Sequence, residues 1–231
     1  MKQLIAICLL LALALSLCAC PGGEVPAASN ALTLTSPKGG TYVCEATGVT
    51  YTRRPAQYLP MTLSREPYAV YTTEGGARFC FFSFSEGTEQ DYLMLADEDD
   101  LYPYYVIAAE DYKMPTLPEM DPYQIIICNA DTEFFWLTPN IFDQVRTIEK
   151  VKAVVAAYEA GEDTTLPVLG KQSAYVELIF ASATYADFAY TCTYIEYENG
   201  DAYIKETETG LCRKVKSGLF EGFRLTKEET K

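Results

Sequence analysis

The sequence predicts an α+β fold, mostly antiparallel β-sheet with one principal helix at about residues 147–160. Tyrosine and phenylalanine favour strands. The 231-residue chain holds 18 and 11 of them, in short runs separated by Gly, Pro and acidic turns. A single segment shows the 3.6-residue apolar repeat of an amphipathic helix. The pattern leaves open whether the sheet forms one body or two small β-rich halves, 41–139 and 140–231, the second of which begins with the helix.

The first 19 residues are typical of a signal peptide. Lys2 precedes an apolar run over residues 4–17, which is shorter than the roughly 20 residues that span a bilayer. The run ends in Leu17-Cys18-Ala19-Cys20, which resembles a bacterial lipobox and implies cleavage before Cys20 and a diacylglycerol on its sulfur. A transmembrane anchor is the alternative, but Pro21-Gly22-Gly23 ends the run early and no basic cluster follows. We therefore expect a protein held by lipid on the extracytoplasmic face of the cell membrane.

Residues 20–40 are predicted to be the lipidated N-terminus and a flexible tether, because they are rich in Pro, Gly, Ala and Ser. Removal of residues 1–19 takes away one lysine and no acid, so the formal charge changes from −14 to −15. This acidic excess argues against nucleic acid as a partner, since its phosphates need Lys and Arg for neutralisation. The membrane contact is therefore expected to come from the lipid anchor and not from basic residues.

The first half of the remaining chain predicts a series of strands. Glu74-Gly75-Gly76 separates two apolar runs and is typical of a hairpin turn. The acidic run Asp97–Asp100 separates two of the strands that follow. The strands expected after the hairpin are Tyr92–Ala96, Tyr104–Ala109, Tyr123–Cys128 and Glu133–Leu137.

The helix has a clear apolar face and recognisable ends. Thr147 can cap its start and Gly161 occupies the position after its last turn. Ile141 and Val145 extend the same stripe, so the helix begins either at Thr147 or as early as Asn140. The residues of the buried face are predicted to be Ile148, Val151, Val154, Val155 and Tyr158.

Asn199-Gly200 predicts a two-residue type I′ hairpin turn, because both central positions of that turn need φ > 0. This turn places Tyr197 opposite Ala202. The register predicts a buried face of Ile195, Tyr197, Ala202 and Ile204 and a wet face of Tyr194, Glu196, Tyr203 and Lys205. Strands at Ala174–Ser182 and Leu211–Val215 flank the hairpin in a meander.

Three segments together resemble a known group of proteins. They are the lipobox leader, "AVVAAYEAGED" at residues 153–163 and "EYENGDAYIKETETGLCRKV" at residues 196–215. The resemblance is to uncharacterised lipoproteins of anaerobic gut bacteria with Gram-positive-type envelopes. It implies an envelope location and a habitat in which thiols survive, and it implies no activity.

Histidine and cysteine usage excludes several chemistries. The chain has no histidine, which removes Ser-His and Cys-His nucleophile pairs and His-ligated metals. Five cysteines follow Cys20 in strand-like runs without a Cys-x-x-Cys pair, so we expect mostly free, buried thiols and not disulfides. These cysteines are Cys44, Cys80, Cys128, Cys192 and Cys212.

Acidic residues suggest two chemistries that their spacing does not support. The Asp97–Asp100 run lacks the central Gly and distal Glu of an EF-hand, which favours a solvated loop over a weak calcium site. Paired carboxylates can hydrolyse glycosides, but the sequence places no two acids in a common cleft. We therefore predict no catalytic residue, no metal site and no cofactor.

Tyrosines form the candidate ligand face. Tyrosine gives a large contact area at low entropic cost and is enriched at recognition surfaces, although ordinary sheet packing is the alternative explanation. The candidate residues are Tyr102, Tyr104, Tyr105, Tyr194 and Tyr203.

Composition and tyrosine content together predict a non-catalytic module that binds a protein, peptide or glycan partner at the cell surface. One alternative is an immunity- or inhibitor-type lipoprotein that sequesters a cationic peptide, since the acidic charge suits such a target. A less favoured alternative is an envelope hydrolase with paired carboxylates.

Overall fold

The structure is a computed structural model that describes residues 31–54, 58–61, 64, 66–97, 103–130, 141–167, 170–206 and 209–225. From Ala31 onward the chain forms one compact unit. The signal peptide, Cys20, the acids at 98–100 and the strand predicted at 133–137 lie outside the described residues.

Seven strands close into a barrel in the order β1-β2-β3-β8-β7-β6-β5. Neighbouring strands are antiparallel except at the closure, where β1 and β5 pair in parallel through Leu32–Ala69 and Thr33–Val70. The strands are β1 Leu32–Lys38, β2 Thr41–Cys44, β3 Val49–Arg53, β5 Ala69–Thr72, β6 Arg78–Phe82, β7 Tyr92–Asp97 and β8 Pro103–Ala109.

Alternate residues of these strands fill the barrel, as the two-residue period of a strand requires. Each of the seven strands contributes at least one fully or nearly fully buried side chain to one cluster. The cluster consists of Leu34, Cys44, Tyr51, Ala69, Phe81, Leu93, Leu95 and Ile107.

A second, antiparallel sheet has the order β10-β9-β12-β13-β14-β15-β11, and β4 pairs with β13 beside it. The chain thus leaves the barrel after β3, adds β4 to the second sheet and returns to form β5. The strands of this sheet are β4 Tyr58–Pro60, β9 Pro122–Asn129, β10 Ile141–Val145, β11 Glu162–Thr164, β12 Gln172–Ser182, β13 Phe188–Tyr197, β14 Ala202–Glu206 and β15 Cys212–Val215.

The predicted α+β class with mostly antiparallel sheet is confirmed. The hairpin at Glu74-Gly75-Gly76 is the β5–β6 turn, and the strands predicted at 92–96, 104–109 and 123–128 correspond to β7, β8 and β9. The structure shows that β9, which the sequence placed in the first half, pairs with β10 and β12 of the second sheet. A closed barrel with one parallel pair was not predicted.

Residues 32–38 differ from the predicted tether, because they form β1. Leu32 and Leu34 alternate with Thr33 and Thr35, which gives the segment an apolar side for the barrel interior and β-branched residues for the other side. Strand pairing on both edges of β1 overrides the polar, Pro- and Gly-rich composition that predicted flexibility.

The helix, α1, spans Ile148–Glu159 and packs on the second sheet. Its buried residues are Val151, Val154, Val155 and Tyr158, as predicted, but Ile148 is 39 % exposed. Thr147 occupies the cap position without a side-chain cap hydrogen bond. The earlier start at Asn140 is wrong, because residues 141–145 are β10 and pair with β9.

The Asn199-Gly200 hairpin forms with a register one residue away from the prediction. Ala202 pairs with Glu196 instead of Tyr197, and the Tyr197 N–H donates to the Asp201 carbonyl at 2.9 Å. The loop of this hairpin therefore has three residues, 198–200, and of these only Gly200 has a positive φ angle, at 86°. The Asn199 side chain accepts from the Asp201 N–H at 3.0 Å, a local bond that this longer turn permits.

The barrel and the second sheet share an apolar interface. The outer face of β6, β7 and β8 is buried as completely as the inner face, through residues such as Phe82, Met94 and Val106. The Tyr92 ring lies 5.3 Å from the ring of Phe188 on β13, nearly at a right angle. This interface explains why β6, β7 and β8 have continuous apolar runs instead of strict alternation.

Candidate ligand-binding site

A cleft of about 350 Å³ opens where the chain crosses from the barrel to the second sheet. Its walls come from the end of β3, the start of β4 and the loop after β8. The lining residues are Arg54, Tyr58, Glu110, Asp111, Tyr112, Lys113 and Met114. Junctions between packed bodies are common places for small-molecule sites, and this volume lies at the lower end of their roughly 300–1,000 Å³ range.

Arg54 is held in one orientation by the backbone. Its N–H donates to the Val106 carbonyl at 2.8 Å, and its Nη2 donates to the carbonyls of Ala109 and Tyr112 at 2.7 and 3.2 Å. Its Nε is buried and has no acceptor in the structure described. A buried donor left unmet costs roughly 1–3 kcal/mol, so the arginine is positioned but not satisfied.

Two aromatic rings form another part of the cleft wall. The Tyr58 hydroxyl donates to the Pro115 carbonyl at 2.9 Å, and its ring packs edge-on against Tyr190 at 5.4 Å. The half-buried Tyr112 ring lies 5.3 Å from the ring of Tyr92. Both rings are therefore fixed by neighbours, which lowers the entropic loss on binding a ligand.

Phenol groups beside the cleft stay protonated at neutral pH. Burial, followed by a hydrogen bond of 2.9 Å to Asp187, raises the pKa of Tyr92. Burial and then the neighbouring phenol of Tyr185 raise the pKa of Tyr112. These tyrosines can donate hydrogen bonds or pack against a ligand, but they do not supply negative charge.

The charged residues at the rim fall into one paired and two unpaired groups. Lys113 forms an ion pair with Glu119 at 3.0 Å, outside the cleft lining. Hydrogen bonding by the Thr116 backbone, followed by Lys113, lowers the pKa of Glu119 to about 2. Glu110 and Asp111 are exposed, and neither carboxylate is paired with a cation in the described parts of the chain.

A smaller cavity of about 240 Å³ lies between α1 and the loop before β9. Asp121 in this loop has a φ of 45°, a left-handed conformation that aspartate tolerates better than most residues. The cavity is lined by Pro118, Asp121, Pro122, Lys152, Val155, Ala156 and Glu159. It is smaller than the Arg54 cleft and no aromatic ring lines it, so the cleft at Arg54 is the stronger candidate.

The predicted tyrosine face is not assembled by the structure. Tyr194 is fully buried and packs against Phe220, whereas Tyr203 is 6 % exposed and packs against Tyr197 on the opposite face of the sheet. The predicted wet face is therefore wrong, because the one-residue register shift separates these rings and both sides of the sheet are covered.

The other tyrosines of that face belong to the start of β8. Tyr102 and the side chain of Tyr104 lie outside the described residues. The half-buried Tyr105 ring packs at one end of the barrel, and the Arg53 guanidinium lies 3.3 Å from the centre of the ring. This contact is a cation–π pair within the protein.

Glu206 forms the centre of a buried polar cluster behind α1. It accepts hydrogen bonds from the hydroxyls of Tyr158, Tyr190 and Thr209. Burial is the main cause that raises the pKa of both tyrosines, and their bonds to Glu206 add to it. The cluster lines neither described cavity and joins the helix to β13 and β14.

The five cysteines that follow Cys20 are buried and free, as predicted. Burial, and then the neighbouring Glu177, raises the pKa of Cys128 to about 12, which keeps this thiol protonated and unreactive.

Within the described residues no group of three His, Cys, Asp or Glu side chains can hold a metal. No helix in the same part of the chain is long and apolar enough to cross a membrane.

Sequence reasoning missed Arg54, Tyr58 and Tyr112. Each follows or begins a strand, but a single sequence carries no signal that these strand ends meet.

Protein-family models, curated proteins and solved structures give no match to this chain, so the site is interpreted from its geometry alone.

Proposed function

We propose that the protein is a lipid-anchored module on the extracytoplasmic face of the membrane, where it binds a small ligand in the Arg54 cleft. The Leu17–Cys20 lipobox and the apolar run before it support the location. The observation that carries the binding proposal is Arg54, a cation that lines the cleft and is fixed by two backbone carbonyls beside two fixed aromatic rings.

The anchoring proposal is tested by intact-mass analysis of the protein from its native host. We expect a chain that begins at Cys20 with diacylglycerol on the sulfur. The Cys20→Ala variant is expected to lose the lipid mass and to retain its leader. A wild-type protein with an intact leader and an unmodified Cys20 contradicts the proposal.

The binding proposal is tested with the full-length protein in detergent, by ligand-observed NMR against amino acids, short peptides, monosaccharides and nucleosides. At least one class is expected to bind the wild type and to lose binding in Arg54→Lys, which keeps the charge but not the planar fork of donors. Binding that is unchanged in Arg54→Lys and in Tyr112→Ala places the ligand elsewhere and contradicts the proposal.

The same panel, extended to cationic peptides, tests the sequestration alternative. Salt-sensitive binding of such peptides that the cleft variants leave unchanged would favour that alternative, because surface charge attraction is screened by salt.

One observation favours a second candidate function, an envelope hydrolase. Glu110 and Asp111 both line the cleft, and a pair of carboxylates is the usual machinery of glycoside hydrolysis. The two functions differ in the effect of Glu110→Gln together with Asp111→Asn. A hydrolase loses turnover of chromogenic glycosides in this double variant, whereas a binding module shows no turnover in either form.

A further inference from the structure

We infer that one end of the barrel is a second binding site, which holds a neutral sugar unit of a glycan against a layer of aromatic rings. None of its residues lines the Arg54 cleft, so the inference goes beyond the proposed function. The layer lies one step above the buried core cluster, at the end of the barrel where β1 joins β2 and β5 joins β6. Mouths of β-barrels are common places for ligand sites.

The two-residue period of the strands places five described side chains in this layer, which we call the barrel mouth. Each lies two positions along its strand from a member of the core cluster and therefore faces the barrel interior. These residues are Tyr42 on β2, Arg53 on β3, Tyr71 on β5, Phe79 on β6 and Tyr105 on β8. The four rings are half-buried and Arg53 is exposed, so this layer reaches solvent, unlike the core cluster below it.

Ring and cation contacts bring these side chains together. The Tyr42 ring lies 5.7 Å from the Tyr71 ring, which stacks on Phe79 at 6.2 Å. The Arg53 guanidinium lies 3.3 Å from the centre of the Tyr105 ring. Burial, and then the Tyr71 phenol, raises the pKa of Tyr42; Arg53 acts against this rise and Tyr105 adds to it. The mouth is therefore one connected surface of rings with phenol and guanidinium donors among them.

This surface is a shallow platform and not a deep cavity. The Tyr42 ring packs 4.9 Å from the fully buried Phe81, so the core fills the barrel directly below the mouth. Two of the turns at this end contain Gly39-Gly40 and Gly75-Gly76, which have no side chains to cover the rings. A platform of this kind suits one unit of a longer glycan more than an enclosed small molecule.

The charges of the mouth favour a neutral ligand. Strand register places Asp97 of β7 beside Phe79, so the layer holds one acid and one cation. A cationic ligand would compete with Arg53, which already takes the face of Tyr105 and repels a second cation. An anionic ligand would meet the formal charge of −14 of the chain.

A sugar ring matches both the rings and the donors of the mouth. Its C–H groups can pack on the electron-rich face of an aromatic ring, and it brings no charge. Its hydroxyls can accept hydrogen bonds from phenols and from a guanidinium and can donate to the phenol oxygens.

The inference is tested by saturation-transfer difference NMR on the full-length protein, in a detergent without a sugar headgroup. The probes are the methyl glycosides of glucose, galactose, mannose and N-acetylglucosamine, together with choline as a cationic probe. At least one glycoside is expected to bind. Tyr71→Ala should weaken its binding about tenfold because a ring contact is lost, and Tyr71→Phe should weaken it about threefold because only a hydroxyl is lost. Far-UV circular dichroism checks that both variants are folded.

Tyr123→Ala is the matched control, because it removes a 49 % exposed ring on β9 of the second sheet, and it is expected to change nothing. Wild-type affinity in both Tyr71 variants overturns the inference. If the glycoside also loses binding in Tyr112→Ala, the sugar lies in the Arg54 cleft, which supports the proposed function instead. Binding of choline alone, or of none of the probes, overturns the inference and leaves the proposed function to its own panel.

Discussion

Replacing Tyr158 by Phe should destabilise the protein, because this change removes one hydroxyl from a buried carboxylate and leaves the ring in place. Glu206 is 6 % exposed and accepts from Tyr158 on α1, Tyr190 on β13 and Thr209 in the following turn. A hydrogen bond to a charged group contributes about 1.5–3 kcal/mol, and a buried charge without partners is unfavourable.

The magnitude depends on how many donors remain. After Tyr158→Phe the carboxylate still accepts from Tyr190 and Thr209, so we expect a loss of about 1.5–2 kcal/mol. Glu206→Leu removes the acceptor of all three hydroxyls, and we expect about 3–5 kcal/mol, below the sum of three separate losses because the groups share one partner. A domain of ordinary stability, about 5–15 kcal/mol, stays folded in the single Phe variant.

Urea unfolding at pH 7, followed by far-UV circular dichroism, measures these losses. Tyr123→Phe is the matched control, since Tyr123 is 49 % exposed and its change should stay within about 0.5 kcal/mol. If Tyr158→Phe is as mild as this control, and Glu206→Leu costs less than about 1 kcal/mol, then the carboxylate does not hold the helix to the sheet and the reasoning is refuted.

Three further predictions concern pH, the hairpin and a sheet edge. The free energy of unfolding should fall as the pH rises above about 10, which is the pKa of an unfolded tyrosine. Each tyrosine whose pKa is raised by burial in the folded state should contribute a fall of up to about 1.4 kcal/mol per pH unit. A flat pH–stability profile from 9 to 11 would contradict this. The tyrosines with the largest such rise are Tyr51, Tyr92, Tyr158, Tyr190 and Tyr194. Gly200→Ala should lower the free energy of unfolding in urea by about 1 kcal/mol, because the φ angle of Gly200 is 86°. Gly39→Ala is the control and should not destabilise, because the φ angle of Gly39 is not positive and an added Cβ would have no neighbour within 4 Å. Arg224→Ala should cost about 1–3 kcal/mol and promote association measured by light scattering, because Arg224 donates to the Phe142 carbonyl on β10, the end strand of the second sheet among the described residues. Unchanged light scattering and unchanged stability would show that this strand needs no cover.

The sequence was sufficient for elements whose signal is local. The apolar stripe from Val151 to Tyr158 identified the helix, and the strand-like runs on either side of Glu74-Gly75-Gly76 identified a hairpin. Both signals lie within about 20 residues, so no knowledge of distant partners was needed.

Long-range pairing decided the features that the sequence did not predict. Ile141 and Val145 are four residues apart, a spacing that suits a helix, yet pairing with β9 makes them part of a strand. Asn199-Gly200 correctly marked a hairpin, but the choice between a two-residue and a three-residue loop depended on bonds to Asp201 and Lys171. A shift of one residue was enough to place Tyr194 and Tyr203 on opposite faces.

The candidate site shares this dependence on distant pairing, and its position gives it a physical consequence. The cleft combines Arg54 from the barrel with Tyr58 from β4, which pairs with the second sheet. The two sheets also share the buried outer face of β6, β7 and β8, so neither could be exposed alone without loss of apolar burial. A ligand that contacts both walls binds only when the sheets are packed together. Its binding must therefore raise the stability of the whole unit by RT ln(1 + [L]/Kd), about 2.7 kcal/mol at a hundredfold excess over Kd. A ligand that binds one wall by displacing the other sheet would lower that stability instead. A rise in Tm therefore indicates a ligand that contacts both walls of the cleft, and a fall in Tm indicates a ligand that separates the sheets.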